Sequence, residues 1–286
     1  MIYFQPMKSI KKHSGLFSYD GTEIPYSYWS NIRGGGVPDT VIFLGAGAVG
    51  AVPHMVAERA GAGVVVVDGV PHWQADQSGA NIDEFSRSYF SSAYQTILDD
   101  FGLTSLHIIG ESQAARAPVF LSISSPKSVR NIVLIRPLGF TVNTFGDTPD
   151  ARMKSFRKRI LQTYLQLPQS FVHDPRNLLV ILTVIRAMLS EPTIASLNRK
   201  YAAGISYDLL RECKLAAKLQ RDAGNTFTLI LGEKDKMFPP KEIIAALESF
   251  KIDGIDIVTI PGDTHSSLAV RASERALRTA LEKVRN

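Results

Sequence analysis

Residues 105–122 read Ser-Leu-His-Ile-Ile-Gly-Glu-Ser-Gln-Ala-Ala-Arg-Ala-Pro-Val-Phe-Leu-Ser. The run SLHII (Ser105–Ile109) is short, apolar and β-branched, which is the pattern of a buried strand. From Gln113 to Ser122 the pattern becomes helical. Between the two lies Gly110-Glu-Ser-Gln-Ala114, a G-x-S-x-A sequence that must turn a strand directly into a helix. So sharp a turn forces Ser112 into a strained backbone conformation, and bulky residues two before or two after it would collide. Gly110 and Ala114 occupy those positions. The turn lifts the Ser112 hydroxyl clear of the sheet and sets it at a helix N-terminus, whose dipole favours a developing negative charge. Ser112 is therefore a candidate nucleophile; the ordinary alternative for a serine here is a helix N-cap.

Outward from this stretch the same alternation recurs. Strand patterns cover Thr40–Leu44, Gly63–Asp68, Asn131–Ile135, Thr226–Leu231 and Ile255–Ile260. Helical patterns cover Pro53–Ala60, Ile82–Phe101, Lys241–Phe250 and Leu268–Val284. Strands alternating with helices predict an α/β class with a mostly parallel sheet of about eight strands and helices on both faces. Upstream, Gly15–Asp20 and Ile24–Trp29, joined by Gly21-Thr22-Glu23, predict an antiparallel hairpin at the sheet edge. The stretch from Pro137 to Asn225 breaks the alternation: it holds helical patterns only, separated by Pro168, Pro175, Pro192 and Gly204, and reads as a helical insertion over the sheet.

A serine nucleophile needs a base, and the base needs an orienting acid. After TFTLIL comes Gly232-Glu-Lys-Asp-Lys-Met-Phe-Pro239, and after IDIVTI comes Pro261-Gly-Asp-Thr-His265. Asp235 and His265 thus each sit in a loop at the C-terminal end of a strand, the edge of a parallel sheet where sites form and where Ser112 also lies. With the elbow GESQA, the acid loop GEKDKMFP and the histidine loop PGDTH in this order, the chain resembles the α/β-hydrolase superfamily over nearly its whole length. The resemblance implies a core of residues 1–138 and 226–286 with a helical cap at 139–225. It implies Ser112 as nucleophile, His265 as general base and acid, and Asp235 as the orienting acid. The oxyanion hole would take the backbone amides of Gln113 and Ala46. Many members carry His-Gly where this chain has Leu44-Gly45; the oxyanion amide needs no histidine side chain. No cofactor or metal is implied, and a serine in place of Asp argues against epoxide hydrolases and haloalkane dehalogenases.

A second motif competes. Gly45-Ala-Gly-Ala-Val-Gly50 is a literal G-x-G-x-x-G after a strand and before a helix, with Asp68 ending the next strand, the pattern of a dinucleotide-binding turn. Against it, Pro53 would fall inside a helix that begins within the glycine loop, where it removes an amide and clashes. It fits better at the start of a helix that begins later. The hairpin upstream is unusual for that fingerprint, which would also leave the elbow unexplained. A non-catalytic small-molecule receptor on the same fold is the third alternative.

Composition bounds the rest. The 286 residues are 45% hydrophobic and 21% charged, an ordinary globular balance that excludes wholesale disorder. The one cysteine, Cys213, rules out an intramolecular disulfide framework and a multi-cysteine metal site. Met1–Gly15 holds three lysines and no apolar run, so no signal peptide is expected and the location reads as cytoplasmic. The longest apolar run, Leu178–Ile185, falls far short of the roughly 20 residues of a membrane span. Net charge is +5, and residues 149–225 alone hold 13 Lys and Arg against 6 Asp and Glu. The cluster Arg152, Lys154, Arg157, Lys158 and Arg159 carries no nucleic-acid motif and reads as a solvated helix face. Glu111 reads as a variable elbow position, and Asp263 as a residue that shapes its loop. His54 and His107 read as packed structural histidines; His13, His72 and His173 have no strand-end context. The expected substrate is a small to medium apolar ester or thioester, with C–C bond hydrolysis and cofactor-free haloperoxidase chemistry open on the same triad.

Overall fold

The computed structural model describes residues 10–32, 34, 36–45, 52–69, 82–140, 151, 154, 155, 158, 159, 162, 209–265, 268 and 273–286. Eight strands form one sheet: β1 (Ile10–Tyr19), β2 (Thr22–Asn31), β3 (Thr40–Phe43), β4 (Val64–Val67), β5 (Leu106–Glu111), β6 (Val129–Ile135), β7 (Phe227–Gly232) and β8 (Asp256–Ile260). Their order is β1-β2-β4-β3-β5-β6-β7-β8. β1 and β2 form the antiparallel hairpin expected at the edge, closed by a tighter turn at Asp20-Gly21, where both residues have positive φ. β2 meets β4 antiparallel, and every pairing from β4 onward is parallel.

The central strands read as unbroken apolar runs because both sheet faces are covered. Side chains alternate between two cores. Val41, Phe43, Ile108, Ile132, Leu134, Leu229 and Leu231 enter the larger one. Ile42, Leu44, Ile109, Val133, Ile135 and Ile230 enter the other. The larger core is closed by α2 (Ile82–Phe101), α3 (Arg116–Ser124), α4 (Leu209–Asp222) and α5 (Pro240–Ser249). On α2, Phe85, Tyr89, Ala93 and Ile97 recur every four residues and are fully buried. The opposite core is closed by α1 (Val52–Ala60) and α6 (Glu274–Arg285). Pro53 is the second residue of α1, where a missing amide costs little.

α4 belongs to the 139–225 stretch read as an insertion. Its Leu209, Leu210, Cys213, Ala216 and Ala217 nonetheless lie in the larger core, so this end of the stretch is part of the core layer. Cys213 is buried there. Nearly all of the remaining span, with the apolar run 178–185, lies outside the described residues. Two elements begin later than their patterns suggest. The chain leaves β5 through a 3-10 turn (Ser112–Ala115) before α3 starts at Arg116, since a tight elbow is closed by the shorter i→i+3 spacing. α6 starts at Glu274 rather than Leu268. Leu268 is fully buried in a turn, with its amide bonded to the Glu111 carboxylate, so its apolar phasing reflects that turn and not a helix. No helix among the described residues is long and apolar enough to cross a membrane.

Candidate active site

Ser112, Asp235 and His265 come together at the C-terminal edge of the sheet. Ser112 follows β5, Asp235 follows β7 and His265 follows β8, so three loops at one sheet edge, with β6 between the first two, supply one residue each. Ser112 has φ +52°, as a strained elbow requires. A Cβ on Gly110 would stand 2.5 Å from the Ala114 carbonyl and 2.7 Å from Pro118 Cδ, so only glycine admits the turn. The Ser112 carbonyl accepts from the Leu138 amide at 3.0 Å, tying the elbow to the segment after β6.

Ser112 Oγ lies 3.2 Å from His265 Nε2, and His265 Nδ1 lies 2.9 Å from Asp235 Oδ2. An ionised Asp235 can only accept, so a neutral His265 carries its proton on Nδ1 and presents Nε2 as acceptor to the serine hydroxyl. The other carboxylate oxygen, Oδ1, accepts from the amides of Met237 at 2.8 Å and Phe238 at 2.9 Å. The Asp235 side chain is 1% exposed and that of His265 14%, so the carboxylate is sealed while the imidazole keeps an open side. Phe238 stands edge-on to the imidazole, with ring centres 4.9 Å apart, and restricts its rotation. The acid and histidine loops are packed backbone to backbone. Lys234 N donates to the Asp263 carbonyl at 2.8 Å, and Gly262 N to Glu233 Oε2 at 2.7 Å. A Cβ on Gly232 would come within 2.8 Å of that same Asp263 carbonyl.

Gln113 is buried directly after the serine. A Cβ on Gly45 would meet the Glu111 carbonyl and Ser112 Cβ at 3.1 Å each and the Gln113 amide nitrogen at 3.6 Å, so glycine keeps the end of β3 close against the elbow. Ala46, the other expected oxyanion donor, lies outside the described residues.

The sequence reading misjudges Glu111 and overlooks Arg136. Glu111 is not a variable elbow position: its carboxylate is buried and accepts from Leu268 N at 3.0 Å and from Arg136 Nη2 at 3.4 Å, with the Gly45 amide facing it. Burial pushes the Glu111 carboxyl up, while Arg136 and these amides pull against that shift. Arg136 ends β6 with φ +47° and is 1% exposed. Its Nη1 donates to the Thr264 carbonyl at 2.7 Å, to Ser273 Oγ at 3.0 Å and towards Asp263 Oδ2 at 3.5 Å. Asp263 is buried, its carboxyl raised by desolvation and lowered by Arg136. The available signal was Arg136 itself, a cation ending a buried apolar strand.

Arg159, from the basic cluster, does not face solvent. It donates to the Met237 carbonyl at 3.1 Å and pairs with both carboxylate oxygens of Glu242 at 3.1 and 3.2 Å. The adjoining 620 Å³ cavity is lined by Arg159, Lys234 and Lys236 against Glu233, Asp235 and Glu242, so it holds no net charge to select an anion. His54 is exposed on α1 and His107 is half-buried in β5; neither joins the site. His13 bonds Ser30 Oγ and stacks on Tyr28. His72 and His173 lie outside the described residues. Among the described residues, no group of three or more His, Cys, Asp or Glu could hold a metal ion.

No protein-family model and no curated protein matches the sequence. Solved structures do. An alpha/beta hydrolase enzyme from a Medee basin deep-sea metagenome library matches at 14% identity, covering 94% of this chain and 95% of that one, with a TM-score of 0.58. A thermophilic esterase from Thermogutta terrifontis matches at 15% identity, with 96% and 100% covered and a TM-score of 0.61. A thioesterase domain from the curacin biosynthetic pathway matches at 13% identity, with 95% and 99% covered and a TM-score of 0.58.

Proposed function

On the α/β-hydrolase fold that this chain adopts, we propose that it is a serine hydrolase, cleaving a carboxylic ester or thioester of a small to medium apolar substrate. The observation that carries this reading is the relay Ser112 Oγ–His265 Nε2, His265 Nδ1–Asp235 Oδ2, at 3.2 and 2.9 Å. The esterase and the thioesterase domain among the structural neighbours support the same bond class.

In the first half-reaction His265 Nε2 takes the Ser112 proton as Oγ attacks the substrate carbonyl carbon. The buried Asp235 carboxylate stabilises the imidazolium that forms. The carbonyl oxygen becomes an oxyanion, received by the Gln113 amide and by a second donor, each worth about 3 kcal/mol. We assign the second to the Ala46 amide, because the preceding amide, Gly45, faces the Glu111 carboxylate. His265 then returns its proton to the leaving alcohol or thiol, and the acyl group remains on Ser112. Water, deprotonated by His265, attacks the acyl-enzyme and frees the carboxylic acid. The balance closes without a cofactor.

The same amide speaks against the dinucleotide reading of residues 45–50, since it faces the Glu111 carboxylate. α1 also starts only at Val52, past the glycine run. We assign residues 139–225 the role of a cap over the site that selects substrate, with α4 as its root in the core. The lone buried cysteine fits a cytoplasmic location.

The test is hydrolysis of a short and a long p-nitrophenyl ester by wild type and Ser112→Ala. The proposal expects turnover that falls roughly 10⁴-fold or more in the variant. A folded wild type that cleaves neither ester, and whose melting temperature shifts with NAD, would favour the dinucleotide reading instead.

A further inference from the structure

The mechanism above leaves one buried charged group unused. Glu111, Arg136 and Asp263 lie directly beneath the triad and touch no substrate-facing atom of it. Their side chains are 7%, 1% and 2% exposed. A buried ion pair is poor evidence of added stability, because desolving both charges offsets most of their attraction. What distinguishes this one is where its hydrogen bonds end.

Arg136 Nη1 holds the carbonyl of Thr264, the residue before His265, at 2.7 Å. It also holds Ser273 Oγ, at the start of α6, at 3.0 Å. Glu111 Oε1 holds the amide of Leu268, three residues after His265, at 3.0 Å. The histidine loop is thus gripped on both sides of the base, once by its carbonyl and once by its amide. The Gly45 amide, which leads into the loop proposed to carry the second oxyanion donor, faces the same Glu111 carboxylate. The Glu111 backbone is that of the residue preceding the nucleophile. One carboxylate therefore ties together the elbow, the oxyanion loop and the base, and the 3.4 Å contact to Arg136 joins it to the end of β6.

We propose that Glu111 and Arg136 form a positioning brace that sets His265 against Ser112 and fixes the oxyanion loop in register with them. Neither touches the reacting atoms. Both act by removing freedom from loops whose misplacement by about 1 Å costs on the order of 10²-fold in rate. The inference rests on the hydrolase reading for its effect on rate, though not for its effect on His265.

Glu111→Gln is the informative variant. It keeps the shape and an acceptor for Leu268, removes the charge, and leaves Arg136 still facing Asp263. Arg136→Lys is its partner, keeping the charge but losing the fork that reaches four acceptors. Two readouts are taken on each folded protein. One is the downfield proton resonance of His265 Nδ1–H bonded to Asp235, assigned by its loss in His265→Ala; it needs no substrate. The other is kcat and KM on a p-nitrophenyl ester. The brace predicts, in both variants, a shifted or exchange-broadened resonance and kcat lower by roughly 10- to 100-fold, with KM changed by less than about 3-fold. Folded variants that keep the wild-type resonance and kcat would overturn it, and so would failure of both variants to fold, which would assign the pair to stability alone. A wild type that shows the resonance without turnover would remove the hydrolase reading while leaving the resonance to decide the brace.

Discussion

Ser112 and Arg136 both hold φ near +50°, a region that non-glycine residues seldom adopt, and both stand where a parallel strand ends at the site. Strain of this kind costs about 1–3 kcal/mol per residue and persists only where the surroundings over-determine it. At Ser112 the surroundings are Gly110, Gly45 and the Leu138 amide; at Arg136 they are the four acceptors around its guanidinium and the Ile230 carbonyl bonded to its amide. Asp68, at the end of β4, shows the cost of a carboxyl without such a partner. Its Oδ1 is buried with no hydrogen-bond partner, and burial pushes its pKa up to about 7 against the pull of Lys12. The folded chain therefore holds that proton more tightly than the unfolded chain. The stability this contributes is complete below the model-peptide value of 3.8 and is lost as pH rises through about 7. Asp68→Asn, which cannot ionise, should gain on wild type in urea unfolding between about pH 5 and about pH 8. An equal gap at both pH values would contradict the assignment.

At the scale of elements, the site depends on how closely backbones approach. β5 can turn into α3 only because position 110 lacks a side chain. Gly110→Ala would drive Cβ into the Ala114 carbonyl, Ala115 Cα and the Pro118 ring at 2.5–2.8 Å. The three lie on the turn and the first part of α3 that the elbow leads into, so relief requires the elbow, and Ser112 with it, to move. The substitution should cost roughly 3 kcal/mol or more of stability, and it should lower kcat even in the fraction that folds. A melting temperature and kcat equal to wild type would refute the elbow's dependence on this residue. The elbow was legible in the sequence because its constraint is local: small residues two before and two after the serine. The strands were legible for a similar reason, since both faces of each central strand are buried and the apolar runs show it. The Glu111–Arg136 contact joins residues 25 apart in the chain and the Arg136–Thr264 contact joins residues 128 apart, with no shared period. Leu268 misled for the same reason, its burial being set by Glu111 across the sheet edge.

At the scale of the molecule, a twisted parallel sheet brings the ends of β5, β7 and β8 to one edge, so residues separated by as many as 153 positions meet within hydrogen-bond distance. The mostly parallel sheet and its covered faces are a consequence of alternating strand and helix patterns and could be read in advance. Substrate choice could not, because the contacts that select a substrate follow from tertiary packing and not from any spacing. The central claim is that Ser112 is an activated nucleophile. Its most direct test is labelling of the folded protein with a fluorophosphonate, followed by peptide mapping, in wild type and Ser112→Ala in parallel. The account predicts one label per chain, located on Ser112 and absent from the variant. A folded wild type that takes up no label, or a label that persists in Ser112→Ala, would contradict it.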